Sequence, residues 1–598
     1  MTLTCRQRNR RQRQNLVFWK LQFLGSEYWQ STTRLRGRSL LAMIFLERFY
    51  WREFLLKGFI ASRLDAWRRG VGIEKLFITG WIGSIATMLV ALVALFFAFG
   101  FWWPYWRVGD MDMWMVYEAF LFNDGLRQEY FDHPGYLTIL FLGHWFAVLH
   151  VGGLLPVHAL SELPPVTDVP ASAVAWMRAT QAARVLSLFI GLAFVTAFAY
   201  LLRALVHDWR VAVLAAFALA FSGGFMMESH IVRTELIASG FAYCALLISL
   251  IAAQRVTSGW RPFLIGVAAL FAALAMLNKV QILFLVASIP PIVVIFGCQA
   301  DEPPSFWRSR GRALAVAGLF VTVAAFATVL AWPIVMSGLF DASAVADRVK
   351  IFGSELPIYQ TLIGVWVLVL MVGYAVIFRV GGLESISAVA AVVAGIGLGL
   401  LVLTLHPNAQ NAIVVMNPLE KMLAFASASD PDLVRSGAVS GGTFVRSLLD
   451  GFGLLIARQT FFLSSSPRPT IFLEWIVLFA VVFAWRRGER KTVLQAGVLL
   501  AVGSAIDLVG TFRGLKLEYF IITDPLVIIA AAWLLVRVPA LQSHRLTYRV
   551  ALSLMVVTIC VGLAEPVKHT FKRDMPLDFC VSHYPYTIRI ERFSFCPL

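Results

Sequence analysis

The chain has 598 residues, of which 59% are hydrophobic and only 14% are charged, and its mean hydropathy is +0.75. A soluble protein of this length could not bury so much apolar surface, so the composition excludes that class and predicts helices that span a lipid bilayer. The formal net charge of +16 does not indicate a nucleic-acid partner. The basic residues lie in short segments between apolar runs, which is the pattern of the positive-inside rule.

Residues 1–77 are predicted to be a basic segment in the cytoplasm and at the membrane surface. They begin MTLTCRQRNRRQRQ, which is too basic for a cleavable signal peptide. Residues 40–68 mix Leu, Phe and Trp with Arg, Lys and Glu, as expected for an amphipathic helix that lies on the membrane.

A dense group of acids follows the first predicted span, residues 78–102. The chain has 35 acidic residues, and six of them lie within 23 positions. We interpret this stretch, 104–135, as part of an extracytoplasmic loop that carries the catalytic residues of a membrane enzyme. The acids are Asp110, Asp112, Glu118, Asp124, Glu129 and Asp132, and His133 follows them.

Apolar runs of about 17–25 residues predict about thirteen membrane-spanning helices. The predicted spans are 78–102, 184–203, 211–227, 236–253, 262–277, 280–297, 313–335, 358–378, 384–404, 471–485, 492–509, 524–537 and 550–564. Residues 136–160 are also apolar but are interrupted by Gly152, Gly153 and Pro156. If this stretch spanned the membrane, the later basic loops would all lie outside, against the positive-inside rule. We therefore predict that 103–183 is one long outer loop with juxtamembrane helices.

This topology divides the chain into a transmembrane catalytic module, an outer segment, a C-terminal group of spans and an outer tail. Their predicted limits are 78–404, 405–470, 471–564 and 565–598. The cytoplasmic loops are too short for a nucleotide-binding domain, and the sequence has neither a Walker A loop nor a dinucleotide-binding fingerprint. We therefore expect no nucleotide cofactor and a donor substrate that is attached to a membrane lipid.

Further polar residues lie at the outer ends of later spans in this topology. Acids in the early loops and cations in the later ones suit a site that activates a hydroxyl or holds a metal on one side and binds a phosphate on the other. These residues are Glu228, His230, Arg233, Glu235, Lys279, His406, Arg513, Lys516 and Tyr519.

Several of these segments resemble one family of membrane enzymes. GDMDMWMVYEAFLFNDG followed by YFDHPG resembles the first outer loop of the GT-C superfamily of lipid-linked-sugar glycosyltransferases, in particular the aminoarabinose transferases and protein O-mannosyltransferases. ARVLSLFIGLAF is similar to their second span, SHIVRTELIASGF to the entry of their fourth, and LAMLNKVQ and LEYFIITDP to later turns. The likeness covers about residues 78–300. It departs from the family at Glu235, where Asp is common, and at HPG, where many members have HPP.

The resemblance implies an all-α, GT-C-type bundle in a bacterial inner membrane with its active site facing the periplasm. The implied reaction moves a sugar from a polyprenyl phosphate to a glycan, lipid or protein acceptor. Such a transfer needs a carboxylate base beside the acceptor hydroxyl. Asp110 and Asp112 are the candidates, and the resemblance favours Asp110. The alternative is that one of them caps the next helix.

The remaining candidates are assigned to metal and phosphate binding. Glu228, His230 and Glu235 could complete a divalent-metal site with Asp110, or Glu235 could simply begin a helix. Lys279 is predicted to stabilise the departing phosphate, unless it only extends to the interface. Substrate contacts are also assigned to His133 (or a tight turn there), Arg233, His406, Arg513, Lys516 and Tyr519.

Three further predictions concern residues outside this set. Arg107 and Arg184 are expected to pair with outer acids. His144, His150 and His158 are expected to face solvent on an amphipathic interfacial segment, the alternative being that they act as ligands. The alternative function is a multi-pass transporter or flippase of a lipid-linked glycan, which would carry ionisable groups inside its spans, and Asp507 is the residue that favours it.

Overall fold

A computed structural model describes the part of the chain that begins at Gly80. The described residues are 80–105, 112–126, 128, 135–254 apart from 166, 260–297, 307–336 apart from 308, 356–405, 470–510 and 517–538, with isolated positions in 449–456 and 549–560. Every regular element among them is a helix. The predicted all-α class is therefore confirmed for this part of the chain.

Fifteen α-helices are described in this part of the chain. They are α1 (Trp81–Phe99), α2 (Trp114–Asn123), α3 (Tyr136–Val151), α4 (Val169–Val206), α5 (Trp209–Ala220), α6 (Gly223–His230), α7 (Thr234–Gln254), α8 (Arg261–Met276), α9 (Leu283–Phe296), α10 (Arg310–Val335), α11 (Leu356–Ile377), α12 (Gly382–Leu401), α13 (Ile471–Arg486), α14 (Arg490–Gly510) and α15 (Asp524–Arg537). Short 3-10 helices lie at Leu160–Glu162, Val280–Ile282, Val402–Leu405 and Leu517–Ile522.

Six of the described helices are long and apolar enough to cross a membrane, and the bent pair α5 and α6, with an angle of 59°, could form a seventh span. The chain is therefore an all-helical, multi-pass membrane protein. The six are α1, α4, α7, α10, α12 with the turn that follows it, and α14.

The prediction of about thirteen spans is not confirmed. A helix lies at each predicted range from 78–102 to 524–537, but several are short. Helix α8 has 16 residues and α9 has 14, whereas a span needs about 20. Apolar composition predicts that a helix is present, but it does not predict whether the helix is long enough to span the membrane. The last predicted span, 550–564, lies mostly outside the described residues.

Helix α4 differs from the prediction in length. It runs without a break for 38 residues, or about 57 Å at 1.5 Å per residue, although only 184–203 was predicted to span. Asp168 caps its start by accepting a hydrogen bond from the Ala171 N–H at 3.2 Å, and Pro170 occupies the first turn. The predicted outer loop 103–183 therefore ends in the first half of a continuous helix.

Helix α3 is 16 residues long and packs on α2 and α4. It is shorter than the about 20 residues of a span, and the prediction that 136–160 does not cross the membrane stays a prediction. The chain after it is held to the end of α2. The Asn123 amide donates to the carbonyls of Gly143 at 3.1 Å and His158 at 2.8 Å.

The main core joins α1, α4, α5, α7 and α9 to the C-terminal helices α13, α14 and α15. Small residues allow some of these close contacts, since five of the nine buried residues of α5 are alanines. Larger rings fill the gaps, as where Phe296 and Trp533 lie 5.0 Å apart.

Helices α8 and α12 approach each other most closely at Gly395. A Cβ atom added there would overlap the Gly266 carbonyl oxygen and lie 2.9 Å from the Leu270 nitrogen. We expect Gly395→Ala to lower the free energy of unfolding by about 1–3 kcal/mol, because both obstacles are backbone. Gly318→Ala on α10 is the control, since no atom lies within 4 Å of its added Cβ. Equal thermal midpoints for the two detergent-solubilised variants would contradict this packing.

Candidate functional site

Asp112 is fixed in a buried position just before α2. Its Oδ2 accepts hydrogen bonds from Arg184 Nε at 3.0 Å and Nη2 at 2.7 Å, and its Oδ1 accepts the Val232 N–H. Both side chains of this ion pair are fully buried. Both guanidinium nitrogens converge on the one oxygen Oδ2, and these charge-assisted hydrogen bonds are stronger than bonds between neutral groups.

Arg184 also holds the segment that precedes Asp112. Its Nη1 donates to the Trp103 carbonyl at 2.6 Å, and its Nη2 donates to the Pro104 carbonyl at 3.2 Å. One guanidinium on α4 thus fastens the end of α1 and the start of the acidic loop. The expected pairing of Arg184 with an outer acid is confirmed.

Burial raises the pKa of Asp112, while the charge of Arg184 and the N–H of Val232 act in the opposite direction. Because its oxygens are occupied by these donors, Asp112 serves as an anchor for the acidic loop. A general base would need an oxygen that can reach a substrate hydroxyl. This arrangement favours the neighbouring Asp110 for that role.

A second buried ion network surrounds the start of α7. The Glu235 carboxylate lies 2.7 Å from Lys279 Nζ and 3.5 Å from Arg233 Nε. Arg233 Nε lies 3.8 Å from a Glu228 oxygen. Thr234 Oγ1 donates to Glu235 at 3.2 Å. All four charged side chains are buried, and each lies within 4 Å of an opposite charge in the group, as buried ions require.

The two networks meet at residues 231–235. The Val232 N–H binds Asp112, and the next residue, Arg233, contacts both glutamates of the second network. Asp112, Glu228 and Glu235 supply three negative charges, and Arg184, Arg233 and Lys279 supply three positive ones. The six side chains form a charge-balanced cluster, which is the condition for burying so many ions.

The turn that carries Lys279 is tied to the start of α3. Asn278 Oδ1 accepts hydrogen bonds from the Thr138 N–H at 3.1 Å and hydroxyl at 3.2 Å. The Asn278 carbonyl accepts the Gly135 N–H at 3.0 Å. Asn278 stands out in the sequence because, with Lys279, it forms a polar pair between two apolar runs. Its partner Thr138 could not be predicted from the sequence.

His230 ends α6 in a buried aromatic environment. Its ring centre lies 5.6 Å from that of Phe96 and 6.2 Å from that of Trp103, and Nδ1 contacts the Met226 carbonyl. A side chain at Gly100 would overlap the imidazole. These are the contacts of a packed core residue.

The described members of the predicted metal site do not fit a metal as they stand. Glu228 and Glu235 both contact Arg233. Among the described residues, His230 does not belong to any group of three potential ligands close enough together to hold a metal ion. Asp110 lies outside the described residues. The four-residue metal site therefore stays a prediction, and no chemical step is derived from it.

Several other predicted site residues also lie outside the described part of the chain. They are His133, His406, Arg513 and Lys516. Tyr519 is described and is half-buried in the 3-10 helix Leu517–Ile522. This helix packs on α6, where a Cβ at Gly224 would lie 2.6 Å from the Ile521 nitrogen. The late segment is thus brought against the helix that carries Glu228.

A largely apolar cavity of about 570 Å³ lies among α7, α8, α9, α11 and α12. Its wall includes Leu277 and Leu283, which stand on either side of the Lys279 turn. It also includes Arg261 and Glu384, which form a 3.3 Å ion pair at the opposite end of α8, about 24 Å away. The cavity therefore extends along the whole of α8, from one polar cluster to another.

Comparison of the chain with models of protein families, with curated proteins and with solved structures finds no match.

Proposed function

We propose that this protein is an integral-membrane glycosyltransferase. It would move a sugar from a polyprenyl-phosphate donor to a periplasmic glycan, lipid or protein acceptor. The observation that carries the proposal is the long apolar cavity whose wall reaches the Lys279 turn, beside a buried cluster that fixes the acidic loop. An apolar chain with a charged phosphate at one end has the chemistry to fit that combination.

The donor lipid would lie along α8 with its phosphate near Lys279. Lys279 is fully buried and bound to Glu235, so a phosphate would have to replace Glu235 as its partner. An ammonium at membrane depth is costly and is typical of functional positions. In the transition state its charge would stabilise the departing phosphate.

The reaction requires one bond to form and one to break. The acceptor hydroxyl oxygen attacks the anomeric carbon, and the bond from that carbon to the phosphate oxygen breaks. Polyprenyl phosphate leaves with the bonding electrons, and the hydroxyl proton passes to the Asp110 carboxylate. Asp112 would position Asp110, because the Arg184 ion pair fixes the loop two residues further on.

Asp110→Asn tests the assigned base. The amide cannot accept the proton, so we expect sugar transfer to fall by about 10²–10⁴-fold, with unchanged expression and thermal midpoint. The matched control is Asp168→Asn, an exposed helix cap at which Asn serves equally well. Mass spectrometry of envelope glycolipids and glycans, from cells with and without each variant, measures the product. Full activity of Asp110→Asn would show that Asp110 is not the general base.

The alternative is a transporter or flippase of a lipid-linked glycan. The Arg261–Glu384 ion pair in the cavity wall favours it, because transport pathways carry paired ionisable residues. Proteoliposomes with a labelled lipid-linked sugar separate the two functions. A flippase moves the intact lipid between leaflets, whereas a glycosyltransferase releases polyprenyl phosphate and labels the acceptor.

A further inference from the structure

Three potential metal ligands converge where the chain leaves α3. They are His150, in the last turn of α3, and His158 and Glu162, from the segment before α4. One ligand atom from each side chain lies within 4.8 Å of the other two. Among the described residues this is the one group of three His, Cys, Asp or Glu side chains with such spacing.

His150 is oriented as a metal-binding imidazole usually is. Its Nδ1 lies 3.1 Å from the Leu155 carbonyl oxygen, which can only accept a hydrogen bond, so Nδ1 carries the proton. The lone pair is then on Nε2, and this atom lies 3.9 Å from Glu162 Oε1. A backbone carbonyl bound to the other ring nitrogen is the common way to fix the tautomer of a metal ligand.

His158 and Glu162 complete the group. His158 Nδ1 lies 2.8 Å from Glu162 Oε2, and its ring stacks on that of His150 with centres 4.1 Å apart. The Glu162 carboxylate therefore lies within reach of both rings, with one oxygen toward each.

Hydrogen bonds from the end of α2 fix the segment that carries His158 and Glu162. Asn123 donates to the His158 carbonyl at 2.8 Å. Asp124 accepts hydrogen bonds from the Ser161 N–H at 2.8 Å and hydroxyl at 2.7 Å. The ligand side chains are 25–36% exposed, so an ion can enter and water can take a remaining coordination position.

We propose that His150, His158 and Glu162 bind a divalent transition-metal ion, with Zn²⁺ as the best match and water as the fourth ligand. Two imidazoles and one carboxylate form a common zinc set, whereas Ca²⁺ and Mg²⁺ require mostly oxygen ligands. Ligand atoms around tetrahedral zinc lie about 3.4 Å apart. Side-chain rotations that move the ligand atoms by roughly an ångström would bring them from their present separations to that distance. The ion would fasten the segment 152–162 to the end of α3.

This site is separate from the charge cluster and does not depend on the proposed sugar transfer. For His150 and His158 it favours the role as ligands over the solvent-facing role predicted from the sequence. Glu162 supplies the carboxylate.

Metal titration of the full chain in detergent, after treatment with a chelator, tests the proposal. We expect one high-affinity Zn²⁺ per chain. We expect His158→Gln and Glu162→Gln each to weaken it by at least about 10–100-fold, since even the loss of a supporting residue has that effect. His144→Gln is the matched control, because His144 lies on the same helix and packs on the Phe122 ring. Equal affinities for all four proteins would overturn the proposal.

X-ray absorption of the unsubstituted protein gives a second test that does not depend on the folding of a variant. With one equivalent of Zn²⁺, two imidazole nitrogens should appear at about 2.0–2.1 Å together with oxygen ligands. A spectrum without imidazole scattering, or no stoichiometric binding at all, would refute the site.

Discussion

Arg184→Met is expected to lower the free energy of unfolding by about 3–5 kcal/mol, the usual consequence of removing one partner from a buried ion pair. The substitution leaves the buried Asp112 carboxylate without the guanidinium that donates twice to its Oδ2. It also removes the donors to the Trp103 and Pro104 carbonyls. The thermal midpoint in detergent and the yield of folded protein measure the effect.

Two further variants isolate the ion pair from other effects of this change. Asp112→Asn combined with Arg184→Met removes both charges, so it should be more stable than Arg184→Met alone. Arg178→Met, at an exposed position of the same helix, should change stability by less than about 0.5 kcal/mol. If Arg178→Met were as damaging as Arg184→Met, the ion pair would not be the cause.

Lys279→Met is expected to have a similarly large effect, again about 3–5 kcal/mol. It removes a buried positive charge 2.7 Å from Glu235 and leaves the six-residue cluster with an excess of negative charge. Met keeps much of the side-chain volume, so the loss reflects charge and not a cavity. Arg312→Met, at an exposed position of α10, is the control and should be close to neutral.

The double variant Lys279→Met, Glu235→Gln separates a structural role from a role in transfer. Its cluster is again charge-balanced, so stability should return toward that of the parent protein. If Lys279 binds the donor phosphate, the refolded double variant stays inactive in the glycan assay. Recovery of both stability and transfer would mean that Lys279 serves only the fold.

The positions of the helices could be predicted from the sequence, and α8, Arg261–Met276, lies within one residue of the predicted run 262–277 at each end. The length of α4 could not be predicted, because polar residues around Arg178 concealed a helix that begins at Val169. Hydropathy records the environment of side chains and does not record where the backbone turns.

The residues of the charge cluster could also be predicted, since acids and cations are rare in so apolar a chain. Their pairing could not, because it depends on contacts between distant segments. Asp112 and Arg184 are 72 positions apart, and no local pattern relates them. The His150–Glu162 group was missed for a related reason. Its members occupy a helix end and a 3-10 turn, and only the bend at Gly152 and Gly153 brings them together.

The hydrogen bonds of Asn278 link the charge cluster to the start of α3. They join the Lys279 turn to Gly135 and Thr138, and Gly135 closes the stretch that contains the acidic loop. A displacement of that turn, such as the opening of the Lys279–Glu235 pair, must therefore pull on the first residues of α3. The Lys279–Glu235 pair and the start of α3 are thus connected through one residue, Asn278, which directly precedes Lys279 in the chain.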